Sequence, residues 1–279
     1  MKQHSTLRIF IRALSHSVLI AMALLYLFPL VATLLAAFRS DGDILRNGFL
    51  AIPQPWNVGG FSAAWEQGSL GVLLRNSALI TLFSVPLTVA CASLSGYALS
   101  RFRFRFRTGI LLLFMSGMFF PPQVYIIPIY MLANTLGVYD AFAGLILVHL
   151  AYQLPFSTLF LLGFFRALPT ALLDAARIDG AGEVRILLRI VLPLSKSALG
   201  AMAILLFTWI WNDFFWGLSM TQSLGTRPIM LGLASFSGRL AFNWNTQAAA
   251  SLIALLPPLM VFCIFQRSFM KGVRMGAVK

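Results

Sequence analysis

Long runs without a single ionised side chain dominate this sequence. Windows free of Asp, Glu, Lys and Arg stretch from Arg12 to Arg39, Arg75 to Arg101, Arg107 to Asp140, Asp140 to Arg166 and Arg239 to Arg267. A bilayer core about 30 Å thick is crossed by roughly 20 apolar helical residues, so each window is long enough to span it. A sixth run, Ser197 to Asn212, is shorter, but continues past the lone Asp213 through Phe214, Phe215, Trp216 and Leu218. Inside hydrocarbon every backbone N–H and C=O needs a partner within the protein, and a helix supplies them all. The expectation is therefore an all-α, polytopic membrane protein with six transmembrane helices in a single transmembrane domain over residues 1–279. The helices are placed near 13–37, 74–98, 109–132, 141–164, 197–220 and 247–266, with a long loop over 166–196. Composition excludes the main alternative. The chain is 59% apolar and 10% charged, with a mean hydropathy of +0.85, whereas soluble domains carry about a quarter charged residues.

The net charge of +13 would in a soluble chain point to nucleic acid. Here the basic residues sit between apolar runs, so no nucleic-acid partner is expected and positive cytoplasmic loops explain them. Sixteen of the 21 Lys and Arg fall on one side: the N-terminus, Arg101–Arg107, the 166–196 loop and the C-terminus. Only Arg39, Arg46, Arg75, Arg227 and Arg239 fall on the other. Both termini and the 166–196 loop are thus expected in the cytoplasm. The run from Val18 to Phe38 exceeds the 7–15 residues of a signal-peptide core, so the first helix is expected to remain. Cys91 and Cys263 lie in apolar stretches and read as small buried hydrophobes rather than a disulfide framework or metal site.

Eight prolines, Pro29, Pro86, Pro121, Pro122, Pro128, Pro155, Pro257 and Pro258, fall within the expected spans. Each removes a helical donor, so these spans either simply share the membrane preference for proline or are kinked around a polar cavity. Polar side chains inside spans are few. His149 and Gln153, four apart, share a face. Trp209, Asp213 and Trp216, with Asn212 adjacent, recur at near-helical spacing, and Asp213 is the single acid within a span. A buried carboxylate faces a cavity or partner by default. Rings beside amide and carboxylate groups suit a polyhydroxylated solute, and an ordinary interfacial aromatic belt is the other open reading. Ser77, Thr81, Ser84, Thr88 and Ser95 form a small-polar stripe that reads as a helix-packing surface.

The 166–196 loop has its own order. Leu168-Pro169-Thr170 leads into Ala171–Asp179 and then Gly180. Thr170 is an expected N-cap and Gly180 a C-terminal stop, giving a helix of about nine residues. So short a helix is marginal in water and needs something to pack against. Glu183–Leu192 follows as a basic amphipathic segment, suited to the membrane surface, before Pro193.

These residues carry a resemblance. Asp174-Ala175-Ala176, then Gly180, Ile190, Leu192 and Pro193 look like the "EAA–x3–G–x9–I–x–LP" signature of permease subunits in ABC-type importers, with Asp174 for the usual Glu. Gly96-Tyr97-Ala98 with Arg101-Phe102, Trp211-Asn212-Asp213-Phe214, and Gln266–Phe269 running to Gly276–Lys279 resemble the carbohydrate-uptake branch, in particular a maltose-transporter-type second permease. The resemblance implies a type I ABC importer permease fold in the cell inner membrane. It also implies a heterodimer with a second permease, an ABC ATPase dimer and an extracytoplasmic solute-binding protein. Residues Asp174, Ala175, Ala176, Arg177, Gly180, Ile190 and Pro193 would couple to the ATPase. His149, Gln153, Trp209, Asn212, Asp213 and Trp216 are candidates for the substrate path. Phe236, Arg239 and Phe242, in an expected exterior loop, are candidates for binding-protein contact.

The sequence has no Gly-Lys dipeptide and hence no P-loop. No cofactor is therefore expected on this chain, ATP and Mg belonging to the partner ATPase. His4, His16 and His149 do not cluster, and neither metal-ligand spacing nor a nucleophile motif appears, so no catalytic or metal-binding residue is expected. The alternative function is an ion-coupled secondary transporter, for which intramembrane acids or His relays would be needed.

Overall fold

A computed structural model describes residues 2–239 and 243–277, with side chains over residues 12–236 and 243–266. Every regular element among the described residues is helical. In chain order these are α1 (Lys2–Ala37), α2 (Asp41–Asn47), α3 (Gly59–Glu66), α4 (Leu70–Arg101), α5 (Arg107–Phe119) and α6 (Ile126–Thr135). There follow α7 (Phe142–Ala167), α8 (Thr170–Ile178), α9 (Glu183–Ile186), α10 (Leu192–Leu194) and α11 (Lys196–Trp211). The last are α12 (Phe215–Met220), α13 (Ile229–Arg239) and α14 (Trp244–Ala277).

Among the described residues, four helices are continuous, apolar and long enough to cross a membrane: α1 from Arg12, α4, α7 and α14 as far as Gln266. Two bent helix pairs, Arg107–Phe119 with Pro122–Thr135 and Glu183–Leu194 with Lys196–Trp211, are also apolar and long enough, which gives six if each pair counts as one span. The expected helix at 109–132 breaks after Phe119, and the two parts meet at 100°. Pro121 and Pro122 explain it, since neither donates a backbone hydrogen bond and Pro121 is extended at φ −67°, ψ 143°. The expected helix at 197–220 ends at Trp211 and restarts at Phe215. At its other end it bends by 79° from the Glu183–Leu194 segment. A π turn over Leu187–Val191 precedes Pro193, whose missing N–H leaves the carbonyl four residues back without its helical donor.

The chain divides into two compact units. The first joins the chain up to Leu70 to Leu233–Leu255. Here α1 exposes its apolar side chains until Ala36 and Ala37, which pack with Ile44 against Ala248 and Ala249. Arg39, which charge counting places in a loop, is fully buried. Its guanidinium binds the Asp43 carboxylate and the carbonyls of Asp43 and Gly48, closing the turn from α1 into α2. Arg39, with Asn47, holds the Asp43 carboxyl below its ordinary value. Asn245 completes the clamp, its side chain donating to Ala37 O at 3.0 Å and its N–H to Asp41 at 3.0 Å.

The second unit comprises Gly71–Gly232 and the chain from Leu256 onward. One core cluster gathers Ile80, Leu145, Val148, Met202, Leu206 and Trp216 from α4, α7, α11 and α12. A second gathers Tyr97, Leu161, Phe165, Leu173, Ile186 and Val191, tying α8 and α9 to the ends of α4 and α7. The small-polar stripe of α4 packs as expected. Ser77, Thr81, Ser84 and Thr88 are buried, and Ser95 Oγ lies 2.7 Å from Thr158 Oγ1 of α7. Gly96 permits this approach, because a Cβ there would stand 3.3 Å from backbone atoms of Thr158 and Leu162. Cys91 is half-buried, and Cys263 is exposed rather than buried.

Candidate functional site

The break between α11 and α12 builds the site. Asn212 and Asp213 fall in the gap, and Asp213 turns back to cap α12. Its carboxylate accepts the N–H groups of Trp216 at 3.3 Å and Gly217 at 3.1 Å. A carboxylate at a helix start satisfies orphan donors and complements the helix dipole. Across the gap, His149 Nε2 of α7 lies 4.0 Å from Asp213 Oδ2. Asn212 is held by donating from Nδ2 to Thr208 O at 2.8 Å.

These groups surround one cavity of about 670 Å³ within the second unit. All six substrate-path candidates, His149, Gln153, Trp209, Asn212, Asp213 and Trp216, line it. Tyr152, Phe156, Thr208, Phe214 and Phe215 join them, and the Pro122 end of the α5–α6 break forms part of the wall. The rings hold one another edge-on, Trp209 against Phe156 at 5.1 Å and Trp216 against Tyr152 at 5.8 Å. Trp216 is nearly buried while Trp209 is 40% exposed, so Trp209 offers the freer face. Apolar ring faces alternate with amide, hydroxyl, imidazole and carboxylate groups. That combination serves a ligand with both C–H faces and hydroxyls. The sequence pattern missed Tyr152, Phe156 and Thr208, although Tyr152 and Phe156 lie four apart on the His149–Gln153 helix. It also treated 209–216 as continuous helix, though an Asn-Asp pair is a common helix start.

A second set of candidates lies on the 166–196 loop. α8 begins at Thr170, with Pro169 rather than Thr170 at the cap position and no capping side chain. It ends as expected at Gly180, whose φ is +79°. Ala181 N–H donates to Ala176 O at 2.9 Å and Gly180 N–H to Arg177 O at 3.0 Å, the Schellman arrangement that favours glycine. Leu173 plugs the α8 face into the second core cluster. Arg177 reaches Asp174 Oδ1 at 2.6 Å and Glu183 Oε1 at 2.8 Å, and Tyr97 Oη donates to Glu183 Oε2 at 2.5 Å. A chain of polar contacts thus runs from α4 through α9 to α8. Asp174, Ala175 and Gly180 stay exposed, Ala176 and Ile190 are half-buried, and Pro193 is exposed. The apolar Leu172 and Ile178 are also bare, Ile178 at 87%. Tyr97 and Glu183 were not foreseen as partners, being 86 residues apart.

The exterior-loop candidates fare differently. Phe236 belongs to α13 and is buried, close enough to Gly68 that a Cβ there would stand 2.3 Å from its ring. It is a packing residue of the first unit and not part of an exposed loop. Arg239 ends α13, and Phe242 lies outside the described residues.

The described residues thus combine several long apolar helices, a polar-aromatic cavity and a short exposed helix, α8. The family described as "Binding-protein-dependent transport system inner membrane component" matches residues 84–275, and the chain belongs to that family. It is accordingly a multi-pass inner-membrane transport subunit of an ABC system and not an enzyme. The chain is 30% identical to the diacetylchitobiose uptake system permease protein NgcG of Streptomyces coelicolor over 269 residues, 96% of this chain and 89% of that protein. It is 33% identical to the arabinooligosaccharides transport system permease protein AraQ of Bacillus subtilis over 261 residues, 92% of each. A chain in the crystal structure of a bacterial ABC transporter that imports the acidic polysaccharide alginate superposes with a TM-score of 0.81. That likeness covers 93% of this chain and 96% of the other at 22% identity, and speaks for the fold. Family membership sets the ion-coupled carrier aside.

Proposed function

We propose that the chain is the membrane-spanning permease subunit of an ATP-driven, binding-protein-dependent importer of a sugar or polyol. It pairs with a second permease, an ATPase dimer and an extracytoplasmic solute-binding protein. The observation that carries the solute class is the cavity bounded by Trp209, Asn212, Asp213, His149 and Gln153. Relatives named for chitobiose and arabino-oligosaccharide uptake support it. Hydroxyls of the solute donate to Asp213 and exchange hydrogen bonds with Asn212 and Gln153, while C–H faces lie on Trp209.

Energy enters at α8. Its bare Leu172, Ala175 and Ile178 dock on the ATPase, which binds ATP and Mg while this chain binds neither. Displacement of α8 passes to α4 and α7 through Leu173 and the Tyr97–Glu183–Arg177 contacts, and the spans alternate between outward and inward access. The bias of sixteen basic residues against five supports a cytoplasmic position for both termini and α8. Binding-protein contact falls to the segment around Arg239 and Phe242.

The test is uptake of labelled di- and oligosaccharides, alongside ATPase activity stimulated by the binding protein, in the reconstituted complex. Asp213→Asn and Trp209→Ala should depress uptake. Undiminished uptake of every sugar and polyol tried would overturn the assignment of the cavity. Collapse of uptake on dissipating the proton gradient at constant ATP would overturn the energy source.

A further inference from the structure

Where α4 ends at Arg101 and α7 at Ala167, the second unit contains another, smaller hollow of about 310 Å³, separate from the solute cavity. Four guanidinium groups line it, those of Arg101, Arg103, Arg107 and Arg177, against the single carboxylate of Asp174. Arg177 is paired with that carboxylate at 2.6 Å and with Glu183 at 2.8 Å, which leaves Arg101, Arg103 and Arg107 as the charges facing no carboxylate in the wall. Arg101 donates from Nη2 to the carbonyls of Phe165 and Leu168, and Arg107 from Nε to Leu99 O at 2.9 Å. Carbonyls orient these groups without cancelling their charge. Arg101 Nε is buried with no hydrogen-bond partner, which is costly for a cationic donor. Ser100 and Thr170 add hydroxyls to the wall. Two helices also start here, α5 at Arg107 and α8 at Thr170, and neither has a side-chain cap, so both present positive dipole ends.

We propose that this hollow binds a phosphate group, carried by the headgroup of an acidic phospholipid or supplied as free phosphate. Planar guanidiniums match phosphate oxygens two at a time and part with their hydration more readily than ammonium groups do. The ends of two spans are where lipid headgroups lie. A phosphate here would touch the α4–α5 turn and the first turn of α8 together. Its occupancy therefore ties the docking helix to the spans and makes the stiffness of that joint depend on the anion.

The experiment reads binding directly and needs no transport, so its failure is distinct from failure of the proposed function. The full chain, purified with its partner subunits, is placed in nanodiscs of phosphatidylcholine, of phosphatidylcholine with phosphatidylglycerol, and of phosphatidylcholine with added inorganic phosphate. Native mass spectrometry counts retained phosphatidylglycerol, and phosphorus NMR follows free phosphate. Arg103→Gln with Arg107→Gln should lower affinity about fivefold per arginine, while the charge-keeping Arg103→Lys with Arg107→Lys should retain most of it. Arg166→Gln, exposed at the end of α7 and outside the hollow, should change nothing. Retention of phosphatidylglycerol by the parent but not the glutamine variant identifies the lipid as the source; binding of phosphate alone identifies the free ion. Equal retention of both probes by the parent and the glutamine variant would overturn the proposal.

Discussion

Replacing Tyr97 with phenylalanine removes one oxygen from the junction between α4 and α9 and leaves the ring, 4% exposed, in place. The lost bond is a hydroxyl donating to a carboxylate at 2.5 Å. Such charge-assisted bonds contribute about 1.5–3 kcal/mol net. The Glu183 side chain is 35% exposed and still holds Arg177, so water replaces the hydroxyl and the loss falls near 1–1.5 kcal/mol. Because Glu183 also restrains Arg177 and α8, the same change should loosen transmission from the ATPase. Two readouts follow. Unfolding of the purified chain with increasing SDS gives stabilities for Tyr97→Phe, Glu183→Gln and the double variant. Uptake per ATP hydrolysed gives the coupling ratio. We expect the two single changes to interact by about 1 kcal/mol and the coupling ratio to fall severalfold in each. Additivity within about 0.3–0.5 kcal/mol together with an unchanged ratio would refute the reasoning.

Other consequences are as specific. Gly180→Ala places a Cβ on a residue at φ +79°, costing about 1–2 kcal/mol; Gly180→Asn, which tolerates that conformation, should retain more uptake than Gly180→Ala. Asp140 joins the turn before α7 to the segment after α12. Partial burial pushes its carboxyl up, but bonds from the Thr226 hydroxyl and from the Gln222 and Ser223 backbones outweigh this and bring it to about 2. A depressed carboxylate contributes stability that is fully present above its unfolded value and lost as pH falls through the folded one. Asp140→Asn should therefore cost of order 1–2 kcal/mol at neutral pH, with the difference from the parent vanishing between about pH 4 and pH 2, as pH-dependent unfolding would show. Trp209→Ala should raise the solute concentration for half-maximal uptake by roughly tenfold, the usual scale for removing an aromatic anchor, with little change in stability since the ring is 40% exposed.

What was legible in the sequence was whatever local chemistry dictates. Uncharged windows longer than the bilayer core marked the long apolar helices α1, α4, α7 and α14, because hydrocarbon penalises every ionised side chain and every unpaired peptide. The Leu168–Gly180 run determined a short helix with a glycine stop, since its ending depends on one residue's freedom to adopt a positive φ. Only the tertiary structure decided the rest. Prolines at 121 and 122 promised a kink, but the 100° turn depends on what the two halves pack against. Spacing put Trp209, Asp213 and Trp216 on one helical face, whereas they meet because the helix stops and Asp213 starts a new one. His149 reaches Asp213, and Tyr97 reaches Glu183, only because α7 and α4 pass beside partners remote in the chain. Phe236, expected on a loop, is buried by packing that no periodicity records. Solvent preference acts residue by residue and is written along the sequence; the convergence of side chains into a cavity or a lever depends on contacts between distant segments, and exists only once the helices have packed.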